Sequence, residues 1–360
     1  MTAIPAVLMR GGTSKGVFVR AEHLPPPGPE RDDLLLRVMG SPDATQIDGM
    51  GGTFSSTSKV VVVEPGGPDE LTYWFAQIGV DRPIVDWSGN CGNLTSAVGP
   101  YAVDEGLVRV TEPVTRLRLR NGNTGVTIEA EVPVADGRAA TTGDLAIAGV
   151  PGTGAPVVTR YLDPGGAVLG ATFPTGSRVD EIDVDGTRVR VSVVDVSHPY
   201  AFVRATDVGL PDESRLTPAE LNGDAGLLAR VERVRAACAV RVGAAPTADA
   251  AAEVAPIVPR IVLVHPDDDA DVRATAFSMG VVHRALPMTA ALCLGAAARL
   301  DGTVVAEAAK APGEEVRIRH PRGIASAFVE TRSGPEPIRS VGVVRTARRL
   351  MDGRVYPRPE

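Results

Sequence analysis

The 360-residue sequence is short of lysine: of its 37 basic residues only Lys15, Lys59 and Lys310 are lysines, and the rest are arginines. Cysteine is equally sparse. Cys91, Cys238 and Cys293 lie far apart with no CxxC pair, which argues against a disulfide framework and against structural zinc. Aromatic residues make up 4%, the formal net charge is −7, and no basic stripe carries interleaved aromatics, so a nucleic-acid partner is excluded. The most apolar stretch, 285–298, contains Pro287 and Thr289 and is too short to cross a bilayer. The first residues show no basic region ahead of an apolar core, so no signal peptide is expected and the expected location is the cytoplasm. There is no HExxH, no carboxylate-rich metal loop, no phosphate loop ending in G-K-[ST] and no GxGxxG between a strand and a helix. Metal and nucleotide chemistry are therefore not expected.

What the chain has in quantity is glycine (39), proline (30) and a hydrophobic fraction of 44%. That mix predicts many strands and tight turns packed through small side chains, over a length suited to two domains. Residues 3–20 read as two strands around Gly11-Gly12, 23–33 as a surface loop containing Pro25-Pro26-Pro27, and 33–39 as a short helix. A loop rich in glycine and serine feeds the run Val60-Val61-Val62-Val63, a strand buried on both faces. Residues 71–80 form another strand, and 94–105 a helix of small residues closed by Gly106. Strands follow over 110–134 and 179–203. The pattern of 217–242 predicts one long helix, with Thr217 as N-cap and Glu220 completing a capping box. Residues 244–256 read as an exposed alanine-rich connector, 261–264 as a buried strand and 288–300 as a second small-residue helix. The helices opened by Asn93 and Thr289 share a rhythm that points to an internal pseudo-repeat, with the site between the halves.

The chemistry concentrates in three places. In Trp87-Ser88-Gly89-Asn90-Cys91-Gly92-Asn93, a cysteine stands just before a helix, where the macrodipole favours its thiolate. The backbone N–H groups at Gly92 and Asn93 can hold a carboxylate and stabilise an enolate formed beside it. Two of the three lysines share one context, Thr13-Ser14-Lys15 and Thr57-Ser58-Lys59. Proton abstraction from carbon needs a base near neutral pKa, and burial lowers lysine toward it, whereas arginine stays charged. Ser56 and Ser58 accompany Lys59. The third place is His283-Arg284 ahead of the second small-residue helix, where Arg284 suits bidentate carboxylate binding. Cys238 and Cys293 sit in apolar helical stretches and are read as core.

Several motifs together resemble the PrpF family of 2-methylaconitate cis–trans isomerases, 4-oxalomesaconate tautomerases and related Δ-isomerases. They are Met9-Arg10-Gly11-Gly12-Thr13-Ser14-Lys15-Gly16, Ser55-Ser56-Thr57-Ser58-Lys59-Val60, Gly89-Asn90-Cys91-Gly92-Asn93 with Val98-Gly99-Pro100, Phe173-Pro174-Thr175-Gly176, Ser278-Met279-Gly280 with His283, and His320-Pro321. The resemblance implies an α+β, diaminopimelate epimerase-like fold. Its two pseudo-repeated domains, 1–177 and 178–360, would each be a curved, mostly antiparallel sheet around a central helix. The C-terminal strand would pack on the first domain. The resemblance also implies no cofactor and no metal, a small polycarboxylate substrate, and at most a second copy of the chain as protein partner. The family's catalytic lysine falls on Lys59 and its cysteine on Cys91. Ser14, Lys15, Ser56, Ser58, Asn90, Gly92, Asn93, His283, Arg284, Met288 and Thr289 are the expected substrate contacts. Epimerases of this fold pair two cysteines, but here the second helix starts near Met288 and Thr289 with Cys293 inside it, which leaves Lys59 as the better base.

The expected activity is a cofactor-independent isomerase that moves a proton between carbons of an unsaturated di- or tricarboxylic acid. The sequence leaves cis–trans isomerisation and double-bond migration both open. Two other readings compete: a hydrolase or transferase using Cys91 with His198 or His283 as base, and a non-catalytic polycarboxylate-binding protein.

Overall fold

The structure, a computed structural model, describes residues 3–278 and 280–359. The chain divides into two compact units, Met1–Leu162 with Val344–Glu360 and Asp163–Val343.

In unit 1 the elements run β1 (Ile4–Gly11), β2 (Ser14–Arg20), α1 (Pro29–Met39), β3 (Lys59–Pro65), β4 (Glu70–Ile78), β5 (Val85–Asp86), α2 (Gly92–Asp104), β6 (Val114–Asn121) and β7 (Thr127–Ala135). Three two-residue strands follow, β8 (Arg138–Ala139), β9 (Leu145–Ala146) and β10 (Thr153–Gly154), then β11 (Val157–Leu162). Unit 2 holds β12 (Asp180–Val184), β13 (Thr187–Val196), β14 (His198–Arg204), α3 (Pro218–Gly223), α4 (Ala225–Arg241), α5 (Ala251–Val254), β15 (Arg260–His265) and β16 (Val272–Ser278). It continues with β17 (Val281–Val282), α6 (Met288–Ala298), α7 (Val304–Ala308), β18 (Glu315–His320), β19 (Gly323–Thr331) and most of β20 (Ile338–Arg345). The last strand, β21 (Ala347–Val355), returns to unit 1 and pairs antiparallel with β1.

The two units repeat one strand order. In unit 1, β2 runs parallel to β3, β3 antiparallel to β4, β4 antiparallel to β5 and parallel to β6, and β6 antiparallel to β7. In unit 2, β14, β15, β16, β17, β18 and β19 repeat these relations one for one. Helix α1 and the pair α3–α4 fill the same place in the order, as do α2 and α6.

Each sheet is covered on both faces. Val60 and Val62 pack with Leu35, Val38 and Met39 of α1, while Val61 and Val63 point the other way; all four are fully buried. Helix α2 is the central helix of unit 1 and is buried from Leu94 to Val103. Close approach explains its composition: a Cβ on Gly99 would lie 2.6 Å from Cγ2 of Val132. Its counterpart Gly295 in α6 would meet Cβ of Ala327 at 2.8 Å. Each glycine stands eight residues after the N-cap of its helix, Cys91 (91 to 99) and Pro287 (287 to 295). The shared rhythm of small residues thus marks a true structural repeat.

Three sequence expectations need correction. The first helix begins at Pro29, inside the expected 23–33 loop, because proline suits the first helical turn and Gly28 supplies the N-cap. The expected 217–242 helix is two. The capping box of Thr217 and Glu220 forms, but Asp224 ends α3 and its side chain accepts from Leu227 N at 2.9 Å to start α4. The alanine-rich connector is not exposed throughout: Ala245, Ala251 and Ala255 are buried against Ala236 and Ala239 of α4.

Candidate active site

Loop 11–14 meets the N-terminus of α2 without space to spare. A Cβ on Gly11 would fall 2.3 Å from the carbonyl oxygen of Asn93, and Gly12, at φ +49°, would meet Oδ1 of the same residue at 2.2 Å. Arg10 holds the turn from behind by donating to the carbonyls of Gly12 (3.1 Å) and Thr346 (2.8 Å). This packing places Ser14 Oγ 3.8 Å from the Sγ of Cys91, and Asn93 Nδ2 donates to Thr13 Oγ1 at 3.0 Å. Cys91 is half-buried at the N-cap of α2 and makes no side-chain cap bond. The first N–H groups of the helix, at Gly92, Asn93 and Leu94, therefore have no intrahelical acceptor.

Asn90 is held beneath by a buried network. Its Oδ1 accepts from Tyr73 Oη (3.1 Å) and Thr95 Oγ1 (3.2 Å), which lie 2.9 Å from each other. Burial pushes the Tyr73 phenol up to about 12, so it stays a neutral donor at physiological pH.

Lys59 opens β3 on the α2 face and is 8% exposed. Its Nζ donates to Gln77 Oε1 at 2.5 Å and lies 4.9 Å from the centre of the Phe75 ring. The Gln77 amide is oriented by its own donors: Nε2 bonds the carbonyls of Ser58 (2.9 Å) and Ser55 (3.1 Å), which turns Oε1 toward Lys59. Burial lowers the pKa of Lys59 from its ordinary value, and the electrostatic influence of nearby Cys91 opposes that shift. Lys15 is half-buried; its backbone N–H donates to the carbonyl of Ser56 at 2.9 Å. Ser56 is half-buried too, but Ser58 is fully buried and accepts from Gln46 Nε2 at 2.6 Å, so it props the loop from inside the wall. Among the described residues, no carboxylate pairs with Arg10, Lys15, Lys59 or Arg345, in a chain of net charge −7.

Unit 2 carries a parallel arrangement. Arg260 opens β15 as Lys59 opens β3, one residue before the buried run Ile261–Val264. Its Nη1 donates to Tyr200 Oη at 3.3 Å, and Tyr200 Oη lies 2.9 Å from Thr289 Oγ1 in the first turn of α6. The Nε of Arg260 is buried without a hydrogen-bond partner. Met288 and Thr289 are half-buried. His283 and Arg284 are exposed, and His283 Nδ1 donates to Ala285 O at 3.1 Å. Of the motif Ser278-Met279-Gly280, Met279 lies outside the described residues.

Cys238 and Cys293 are fully buried, as read from sequence. Burial pushes the Cys238 thiol up to about 12 and the Cys293 thiol higher still, and Cys293 Sγ donates to Val194 O at 3.3 Å. Among the described residues no imidazole of unit 1 bonds Cys91, and in unit 2 the His198 ring Nε2 bonds the carbonyl of Ile257 at 2.8 Å.

Two residues of these arrangements escaped the sequence reading. Gln77 carries no local signal. Arg260 had one: Lys59-Val60-Val61-Val62-Val63 and Arg260-Ile261-Val262-Leu263-Val264 are the same pattern, a cation followed by four branched apolar residues.

A duplicated sheet-and-helix unit, with a desolvated lysine beside a cysteine at the N-terminus of a buried helix, defines an epimerase-like α+β enzyme. The fold is shared with a proline racemase structure (TM-score 0.51, 14% identity, 98% of this chain and 93% of that one). The chain belongs to the PrpF protein family, whose model matches residues 1–358. It is 41% identical to 3-methylitaconate isomerase of Eubacterium barkeri, over 98% of this chain and 97% of that protein. It is 39% identical to 2-methyl-aconitate isomerase of Shewanella oneidensis, over 99% and 97%. A solved methylitaconate-delta-isomerase superposes with a TM-score of 0.93 at 40% identity, covering 99% of this chain and 96% of the other. The protein is an isomerase. No helix among the described residues is long and apolar enough to cross a membrane.

Proposed function

We propose that this isomerase shifts a carbon–carbon double bond in a small, branched, unsaturated polycarboxylate, with Lys59 as the base. The observation that carries the reading is the state of Lys59. It is buried, its pKa is lowered by desolvation, no carboxylate among the described residues pairs with it, and it lies beside the open end of α2.

The neutral Nζ takes a proton from a carbon that is both allylic and α to a carboxylate. The C–H electron pair delocalises through the double bond and the carboxylate, whose growing charge is held by the N–H groups of Gly92 and Asn93. A proton is then delivered to the far alkene carbon, from the Lys59 ammonium or from the Cys91 thiol. One proton has moved, the double bond has shifted, and the step balances without a redox partner. Rotation within the same anion gives cis–trans isomerisation, so substrate shape decides the outcome.

Lys15, whose backbone is tied to Ser56 beside Lys59, is the unit-1 cation we assign to carboxylate binding. The relatives named for 3-methylitaconate and 2-methyl-aconitate support a polycarboxylate with two or three acid groups. Incubation with 3-methylitaconate, 2-methylaconitate and 4-oxalomesaconate, followed by proton NMR of the vinylic signals, tests the reading. Turnover of at least one is expected, and inertness toward all three, with folded protein, contradicts it.

A further inference from the structure

Unit 2 contains a cavity of about 200 Å³ that the reaction does not use. It lies under α3, on the sheet face opposite α6. Ile261, Leu263 and Phe277 point to that face, where they pack with Leu221 and Leu227, and Thr275 and Arg273 share it by strand alternation.

The charged side chains of the lining are Arg215, Arg273 and Arg319, and Arg319 already has carboxylates, Asp267 (3.0 Å) and Asp269 (2.8 Å). Arg273 and Arg215 have none among the described residues. Arg273 is buried, with its two terminal nitrogens on the carbonyls of Ser214 and Asp212 and its Nε without a partner. Arg215 is exposed and donates to the carbonyls of Asp212 (3.2 Å) and Ser214 (3.3 Å). At the floor, His265 is 2% exposed and its Nδ1 has no hydrogen-bond partner; the nearest carboxylate oxygen, Oδ1 of Asp212, is 3.7 Å away. Burial, then Arg273, Arg204 and Arg215, lower the His265 pKa to about 3, so the ring is neutral at physiological pH. Leu210, Leu216, Pro218, Leu221 and Pro321 supply an apolar side of the wall, beside Ser214, Thr217 and Thr275.

The Arg273 guanidinium is taken out of water with no carboxylate paired to it among the described residues, which is costly, and with the exposed Arg215 beside it the cavity calls for an anion. The apolar wall argues for an anion with a hydrocarbon part. We propose that this cavity is a second, non-catalytic site for a small carboxylate, whose head sits on Arg215 and Arg273 and whose tail lies on Leu216 and Leu221.

The test is ¹H–¹⁵N NMR of the histidine rings in the full chain, titrated with butyrate and, separately, with inorganic phosphate. His265 and His320 line the cavity, so their signals report it independently of turnover at Lys59. Butyrate is expected to shift the His265 ring saturably and phosphate to leave it nearly unmoved. Arg215→Glu and Arg215→Gln should each weaken butyrate by about tenfold or more, the usual cost of losing a charge-assisted contact, while Arg215→Lys binds nearly as wild type. All three substitutions fall at an exposed position and should leave isomerase turnover without butyrate unchanged. No saturable shift with butyrate, an equal shift with phosphate, or undiminished binding by Arg215→Glu overturns the proposal.

Discussion

The Nζ of Lys59 and the Oε1 of Gln77 are 2.5 Å apart, and the Gln77 amide is fixed by two backbone carbonyls, so Lys59 faces a neutral acceptor where a carboxylate would keep it charged. Gln77→Glu places that carboxylate there with little change of shape. An opposite charge at this distance raises a lysine pKa by roughly 1 unit or more. The acidic limb of the kcat/KM profile should move to higher pH by that amount and turnover at neutral pH should fall, as measured by initial rates across pH. An unmoved limb would remove Lys59 from the titration.

The lowered pKa of Lys59 also has a sign in stability. Between its folded value and its ordinary value of 10.5, the unfolded chain binds the proton and the folded chain does not. Stability contributed through this group therefore rises with pH through that window and is lowest below it. Lys59→Met removes the term, so the Tm difference between mutant and wild type should be largest in the mutant's favour at low pH and shrink as pH rises. Thermal melts at a series of pH values read this directly.

Cys91 and Lys59 differ in what their loss leaves behind. After Cys91→Ala the N–H groups of Gly92 and Asn93 still hold a carboxylate, and Lys59 can return the proton it took. Lys59→Ala removes the base itself, with an expected loss on the order of 10² to 10⁴ in kcat. Cys91→Ala should lose clearly less. Steady-state kinetics of both variants decide it, and an active Lys59→Ala beside a dead Cys91→Ala would reverse the roles.

Much of this was legible in the sequence where one local rule acts alone. The doubly buried Val60–Val63 strand, the small-residue central helices and the capping box at Thr217 follow from periodicity and side-chain chemistry. Asp224 shows where that stops: its side chain can continue a helix or cap the next, and only the packing of α4 chooses. Ser58 looked like a substrate contact because it adjoins Lys59, but alternation turns it inward to Gln46. Gln77 became visible only with the pairing of β3 and β4, which sets it across from Lys59. Arg260 needed the repeated strand order, because its pattern alone is that of any buried strand led by a cation.

Packing at loop 11–14 is the structural premise of the site. Gly11→Ala drives a methyl group into the Asn93 carbonyl, and the backbone on either side must shift. The expected cost is at least about 1 kcal/mol, read as a lower Tm, with weaker turnover because Ser14 and Cys91 move apart. A variant with wild-type stability would show that the contact is looser than described.

The central claim is that Lys59 moves a proton on carbon, and hydrogen exchange measures it most directly. Lys59→Arg puts a somewhat larger, permanently protonated side chain there, which can still attract a carboxylate but cannot act as a base. With a turned-over substrate in D2O, NMR should show wild-type protein placing deuterium at the α and γ carbons. Lys59→Arg should bind the substrate yet lose exchange by on the order of 10²-fold or more. Exchange by Lys59→Arg at a near wild-type rate would contradict the account.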